Sequence, residues 1–285
     1  MSVLERRRIR LVPQGSMLLW LGFAGALVMV IVVVLGPLLQ THDPYEQLLT
    51  NRLLAPGEEG HLLGTDQLGR DLYSRTIEGF RWSLGIGFVA TMIAAVLGTL
   101  VGIAAAMREG VLRTVLTRLV DMTIAFPYLV IAVAIIAVIG RGFFALSLTL
   151  GLVSWPIFAR VVYAEALGLM EREYILAAQL LGVGAWRTLF THLLPGLRPS
   201  LMVMWAFMFA DLLIAESALS FLGLGAPLAA PSWGNMLSDS REYLATAWWM
   251  LLAPAIAIVV AVVTANLIGD GVAAESRRRA AQART

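Results

Sequence analysis

Six long apolar runs, separated by short charged stretches, dominate the pattern of this 285-residue chain. They cover Met17 to Leu39, Ser83 to Met107, Met122 to Gly140, Gly142 to Ala159, Ser200 to Leu224 and Ala247 to Ile268. A hydrocarbon core of about 30 Å takes roughly 20 helical residues at about 1.5 Å each, so runs of this length predict membrane-spanning helices. Nothing between Ser83 and Met107 is charged, and the third and fourth runs nearly touch, which predicts a tight helical hairpin at Gly140, Arg141 and Gly142.

The arginines orient the spans. With the N-terminus in the cytoplasm, the inner segments hold Arg6, Arg7, Arg8, Arg10, Arg108, Arg113, Arg118, Arg160, Arg172, Arg187, Arg198, Arg277, Arg278, Arg279 and Arg284. The outer segments hold Arg52, Arg70, Arg75, Arg81, Arg141 and Arg241, so the excess is inside and both termini are expected there. The opening "ERRRIR" and the apolar run after it could suggest a signal peptide, but the run is long and ends in "GPLLQTHD" without a small-x-small cleavage site. It reads as an uncleaved first span. The expected organisation is a cytoplasmic segment 1–16, a transmembrane domain 17–272 and a cytoplasmic tail 273–285. The outer loops, 40–82 and 225–246, are too small to be folded catalytic domains.

Between the fourth and fifth spans lies "EYILAAQLLGVGAWRTLFTHLLPG", Glu173 to Gly196, within a cytoplasmic region 171–195. As a helix it puts Tyr174, Ala177, Ala178 and Leu181 on one face and Ile175, Leu176 and Leu180 on the other, leaving only Glu173 and Gln179 polar. A helix apolar nearly all round is a buried helix. The membrane bundle can cover one side; the other calls for a second protein. Gly182 and Gly184 are expected to take positive φ and turn the chain into a second short helix, Ala185 to Leu193, which Pro195 ends, while Pro199 fits the first turn of the next span.

Composition agrees and excludes other classes. The chain is 59% hydrophobic and 14% charged, against about a quarter charged in soluble domains, and its mean hydropathy is +0.81. It has no cysteine, so no disulfide framework, thiolate metal site or Cys nucleophile is available. His42, His61 and His192 lack the i, i+4 spacing of a helical metal pair, and no metal site is expected. No G-x-x-x-x-G-K-[ST] occurs, so the chain is expected to bind no nucleotide itself, and H-E-x-x-H and G-x-S-x-G are absent as well.

The cytoplasmic stretch resembles the loop motif E-A-A-x-x-x-G-x9-I-x-L-P of binding-protein-dependent ABC importer permeases. Aligned on Gly182, the chain supplies Ala177, Ala178, Leu194 and Pro195, with Leu176 in place of the motif's Glu and His192 in place of its Ile. Glu173, one helical turn earlier, is a candidate for the missing carboxylate. In this family the segment is a coupling helix that docks into a cleft on the ATPase. The resemblance therefore implies coupling roles for Glu173, Tyr174, Ala177, Ala178, Leu181, Gly182, Gly184, Leu194 and Pro195.

"HLLGTDQLGRDLYSRTIEGFRWSLGIG", His61 to Gly87, leads into the second span, and Thr65 or Asp66 is placed to cap a helix running to Phe80 with Arg70, Asp71, Ser74 and Glu78 on its polar side. On physical grounds this is an amphipathic helix at the membrane surface. The string also resembles G-T-D-x-x-G-R-D-x-x-S-R of the dipeptide, oligopeptide and nickel branch of these permeases, matched by Gly64, Thr65, Asp66, Gly69, Arg70, Asp71, Ser74 and Arg75. Similar matches are D-x-x-x-A-F-P at Asp121 to Pro127, E-S-x-L-S-F-L-G-L-G at Glu216 to Gly225 and P-x-W-G-x-M-L at Pro231 to Leu237. The short N-terminus and single compact outer loop resemble the smaller, C-type permease of the pair.

The resemblance implies an all-α integral membrane protein of the type I ABC importer class, with six transmembrane helices, in the inner membrane of a bacterium. It implies as partners a second, B-type permease, two ATPase subunits or domains carrying ATP and Mg, and an extracytoplasmic solute-binding protein, with no nucleic acid. The outer-loop motif would serve the binding protein or a gate. Asp211 and Glu216 lie in the fifth apolar run, where a lone charge costs roughly 2.5 to 3.5 kcal/mol near the bilayer centre, so they are expected to face protein or water. With Ser217, Ser220 and Phe221 they could line the pathway, join the two permeases, or be neutralised locally. The competing class is a proton-coupled carrier using Asp211, Glu216 or Asp270 as relays, although no internal repeat of such carriers is visible.

Overall fold

The computed structural model describes residues 14–282. Arg6, Arg7, Arg8, Arg10 and Arg284, which carry part of the charge argument, lie outside the described residues, as do most of segment 1–16 and the end of the tail. Among the described residues the fold is helical, with a single antiparallel bridge between Thr65 and Asp71.

The apolar runs become α1 (Gln14–Leu39), α3 (Gly85–Met107), α6 (Phe143–Met170), α9 (Leu194–Phe221) and α11 (Trp249–Gln282). Each belongs to one of five helical bodies long and apolar enough to cross a membrane. The third expected span, Met122 to Gly140, is not one helix. It is divided between α4 (Val111–Ile124) and α5 (Tyr128–Ile139), which meet at 87°. Pro127 is the physical reason: it has no N–H for the helix ladder and pushes Phe126 away from helical backbone. The described residues therefore offer five spans, or six if the bent pair counts as one.

Glycines set how closely the spans approach. Gly98 and Gly102 of α3 rest on α6 at Phe158 to Val162, and Gly151 of α6 rests on Ala90 and Ile93 of α3, so the two helices run parallel. α1 and α11 run antiparallel, with Gly22 against Ile268, Gly25 against Thr264 and Gly271 against Leu19. One core cluster joins α3, α5, α6 and α9 around Ile86, Leu150, Phe158 and Leu212; a second joins α1, α9, α11 and the outer elements around Met29, Leu213 and Trp233.

Three local expectations change. The helix before the second span, α2 (Leu72–Gly79), is capped by Asp71, whose side chain accepts from the Ser74 N–H, rather than by Thr65 or Asp66. Its polar side is not free: Asp71, Ser74, Arg75 and Glu78 are buried with Leu72 and Ile77, and a wide π turn, Phe80–Leu84, carries the helix straight into α3. Pro195 does not end a helix either. α8 (Ala185–Thr188), a π turn at Leu189–Leu193 and α9 form one body from Ala185 to Phe221, and the Leu194 N–H bonds to the Leu189 carbonyl five residues back. The widened turn makes room for a proline ring that would otherwise crowd the preceding turn.

Candidate functional site

The outer motif folds into a buried polar knot. Gly64 and Gly69 take φ of +76° and +73° and press against the Leu54 and Leu48 carbonyls, places where a side chain would collide. The tight path turns Asp66 inward. Its Oδ1 accepts from the Leu68 and Arg70 N–H groups, and its Oδ2 lies 2.6 Å from Arg70 Nε and 3.5 Å from Arg75 Nε. Arg75 Nη1 donates to the Pro44 carbonyl. Thr65 accepts from the Leu54 N–H and donates to the Asn51 carbonyl, and Ser74 Oγ accepts from the Thr41 and His42 N–H groups. The side chains of the motif thus shape the loop from within.

The knot is tied to the loop between α9 and α11. Arg70 Nη2 reaches Asp239 Oδ2 at 3.0 Å, on α10 (Trp233–Ser240). Trp233 is fully buried: its backbone N–H donates to Ser83 Oγ, its Nε1 donates to the Thr76 carbonyl, and its ring stands edge-on to Phe80 at 4.8 Å. Beneath α10 lies Glu216, also fully buried. Ser220 donates to its Oε1 at 2.8 Å and Ser217 to its Oε2 at 3.4 Å, and the Ser83 and Ser232 hydroxyls face it too. Ser220 in turn accepts from the Ala226 N–H, fixing the turn where α9 stops and Gly223 takes φ +75°. Glu216, Ser217 and Ser220 are therefore enclosed within this chain. Asp211 is exposed, and Phe221 is half-buried beneath the Arg241 guanidinium, 5.1 Å from its ring.

At the other end, α7 (Glu173–Leu180) hangs from the bundle by Ile175, fully buried among Ile103, Ala106, Val162, Ala166, Leu169, Leu193 and Leu197. Ala178 is half-buried; Glu173, Tyr174, Leu176 and Ala177 face outward. The helix ends in a Schellman turn. Gly182 takes φ +82°, and the Val183 N–H bonds to the Ala178 carbonyl. Gly184, expected to share the positive φ, instead has extended backbone at φ −65° and opens α8. Leu180, Leu181 and Trp186 are 90, 86 and 75% exposed, an apolar surface uncovered by this chain. Leu194 is half-buried on the bundle and Pro195 is exposed. Glu173 forms no ion pair among the described residues, whereas Tyr174 meets His192 edge to face at 5.9 Å, linking α7 to the arm that enters α9.

Residues 98–282 match the family model of the binding-protein-dependent transport system inner membrane component, about two thirds of the chain. The chain belongs to this family. The permease is 39% identical over 251 residues to a putative peptide transport system permease protein of Brucella suis, covering 88% of this chain and 84% of the relative. It is 36% identical over 255 residues to the di/tripeptide transport system permease protein DppC of Pseudomonas aeruginosa, with 88 and 84% covered. It is 34% identical over 250 residues to the glutathione transport system permease protein GsiD of Pectobacterium atrosepticum, with 87 and 83% covered. It falls in the dipeptide and oligopeptide branch of the ABC importer permeases, multi-pass proteins of the inner membrane that work with further permease, ATPase and binding-protein subunits.

Sequence reading missed several pairings in the permease. His42 and His61 stack with centroids 4.4 Å apart beside Asp71, although their spacing along the chain carries no signal of it. Asp121, picked out only as part of a motif, pairs with Arg160 across α4 and α6. Ser200 Oγ donates to Glu165 Oε1, pinning the start of α9 to α6. All three depend on which segments of the chain become neighbours.

Proposed function

We propose that this chain forms half of the translocation pathway of an ATP-driven importer of short peptides or similar small solutes, and that α7 and α8 couple it to separate ATPase subunits that carry ATP and Mg. The observation that carries the reading is the apolar face of Leu180, Leu181 and Trp186 on an arm whose α7 is held in the bundle by Ile175. Exposed apolar area of this kind marks a protein or membrane contact, and we read it as the ATPase contact. Glu173, Tyr174, Ala177, Ala178, Leu181, Gly182 and Gly184 would make or shape the contact, and Leu194 and Pro195 sit where the arm joins the span. Because Ala185 to Phe221 is one helical body, a push at the arm moves α9 without a hinge at Pro195. The names of the relatives support peptides as cargo.

The same reading takes six spans with both termini in the cytoplasm. Parallel α3 and α6 require the chain between them to return across the membrane, which only α4 and α5 can do. Antiparallel α1 and α11 bring the two ends of the chain to one side. The outer face, with Gly64, Thr65, Asp66, Gly69, Arg70, Asp71, Ser74 and Arg75 holding its shape from within, would receive the binding protein. Asp211 and Phe221 remain for the pathway or the second permease.

Uptake into vesicles containing the full set of subunits tests the proposal. Transport should require ATP and the binding protein. Uptake driven by a proton gradient alone, without the ATPase, would overturn it.

A further inference from the structure

We infer that His42, His61 and Asp71 form a binding site for a divalent transition-metal ion of the zinc type at the outer face of the permease. Three separate segments meet here: the chain leaving α1, the outer loop, and the residue that caps α2. His61 Nδ1 lies 2.8 Å and His42 Nδ1 3.8 Å from the same oxygen, Asp71 Oδ1. One ligand atom from each of the three residues falls within a set no more than 4.8 Å across. Ligand atoms around a tetrahedral zinc, at bonds of 2.0–2.2 Å, stand roughly 3.4 Å apart. The His61 pair is slightly too close and the His42 pair slightly too wide, so small side-chain rotations would bring the donors to that spacing.

The surroundings fit a ligand set rather than a helix cap alone. Asp71 Oδ2 is already held by the Ser74 N–H at 2.8 Å and the Thr41 hydroxyl at 3.3 Å, which orients the carboxylate and presents Oδ1. Such outer contacts are what position metal-binding side chains. His61 and Asp71 are buried, while the His42 side chain is 37% exposed and lines a cavity of about 560 Å³ with Gln40, Tyr45, Glu78 and Arg81. The cavity supplies an entry path and room for water as a fourth ligand. The stacked rings, 4.4 Å apart, both turn a nitrogen toward one carboxylate, which places the two donors to share one ion. Two imidazoles and one carboxylate suit zinc, nickel or cobalt; calcium and magnesium demand a fuller set of oxygens. On binding, any proton on His42 Nδ1 or His61 Nδ1 leaves to solvent, the His42 Nδ1 contact with Thr41 Oγ1 and the His61 bond to Asp71 break, and each of the three side chains forms one bond to the metal. The ion would then staple the exit of α1 to the head of α2.

The full chain, purified with the subunits that accompany it and stripped with a chelator, is titrated with Zn²⁺ against a chromophoric competitor. We expect one site per chain, X-ray absorption showing two imidazoles and an oxygen ligand, and a rise in thermal midpoint on loading. His42→Ala leaves the α2 cap in place and should weaken binding by roughly tenfold or more. Glu78→Gln, in the same cavity, should leave binding unchanged. Absence of a stoichiometric site in the stripped chain, or equal zinc affinity in His42→Ala, would overturn the inference.

Discussion

Arg70 and Asp239 stand 169 positions apart in the sequence and 3.0 Å apart in space, joining the loop between α1 and α2 to α10. The other end of the same guanidinium lies 2.6 Å from Asp66, so one arginine holds two loops by two carboxylates. The carboxylates are not equivalent: Asp66 is buried with Arg75 beside it, while the Asp239 side chain is 31% exposed. Removing one partner of a buried pair leaves an uncompensated charge and costs about 3–5 kcal/mol, whereas an exposed pair contributes about 1 kcal/mol or less. Asp66→Ala should therefore lower the thermal midpoint of the purified permease sharply and reduce its yield, and Asp239→Ala should do so only slightly. Equal effects in a thermal-unfolding comparison would show that the knot does not depend on Asp66.

The arm of α7 and α8 separates a packing role from a contact role on neighbouring residues. Ile175 is buried in the bundle, and Ile175→Ala should cost about 2–5 kcal/mol and loosen the whole arm. Leu180 and Leu181 touch little of their own chain, so the double change Leu180→Asp, Leu181→Asp should leave thermal stability within about 0.5 kcal/mol while reducing co-purification of the ATPase subunits. Gly182→Leu strains a φ of +82° and should separate ATP hydrolysis from uptake, but Gly184→Ala, at ordinary φ, should be far milder. Full coupling in the Leu180, Leu181 double variant, measured as solute imported per ATP hydrolysed, would remove this face from the contact.

Much of this architecture is legible in the sequence because it rests on local rules. Span lengths follow from apolar runs, and the turn at Gly182 from a glycine after a short apolar helix. What was misplaced depends on how neighbouring structure resolves a proline or a cap. Pro127 stands at the break between α4 and α5, whereas Pro195 is carried through by the π turn at Leu189–Leu193 and Pro156 lies inside α6. Thr65 and Asp66 look like helix caps by residue type, but backbone donors and two arginines claim them first, leaving Asp71 to cap α2. The His42 and His61 pair has no periodic signature at all, since it forms only when the outer loop folds back on the exit of α1.

Glu216 offers the sharpest division between architecture and transport. Its carboxylate is buried among hydroxyls, with Ser220 donating to one oxygen and Ser217 to the other, and its nearest partners organise the turn at Gly223 rather than a water-filled path. Glutamine keeps the length and one acceptor oxygen, so Glu216→Gln should change stability by about 1 kcal/mol and retain uptake. Glu216→Ala removes the acceptors and leaves a void beside buried serines, which should cost about 2–4 kcal/mol and release α10 from α9. A group that carried protons would behave in the opposite way: glutamine would abolish transport while the protein stayed as stable as before. Uptake and thermal unfolding measured on the same two variants decide between them, and a stable, transport-dead Glu216→Gln would place this carboxylate in the pathway.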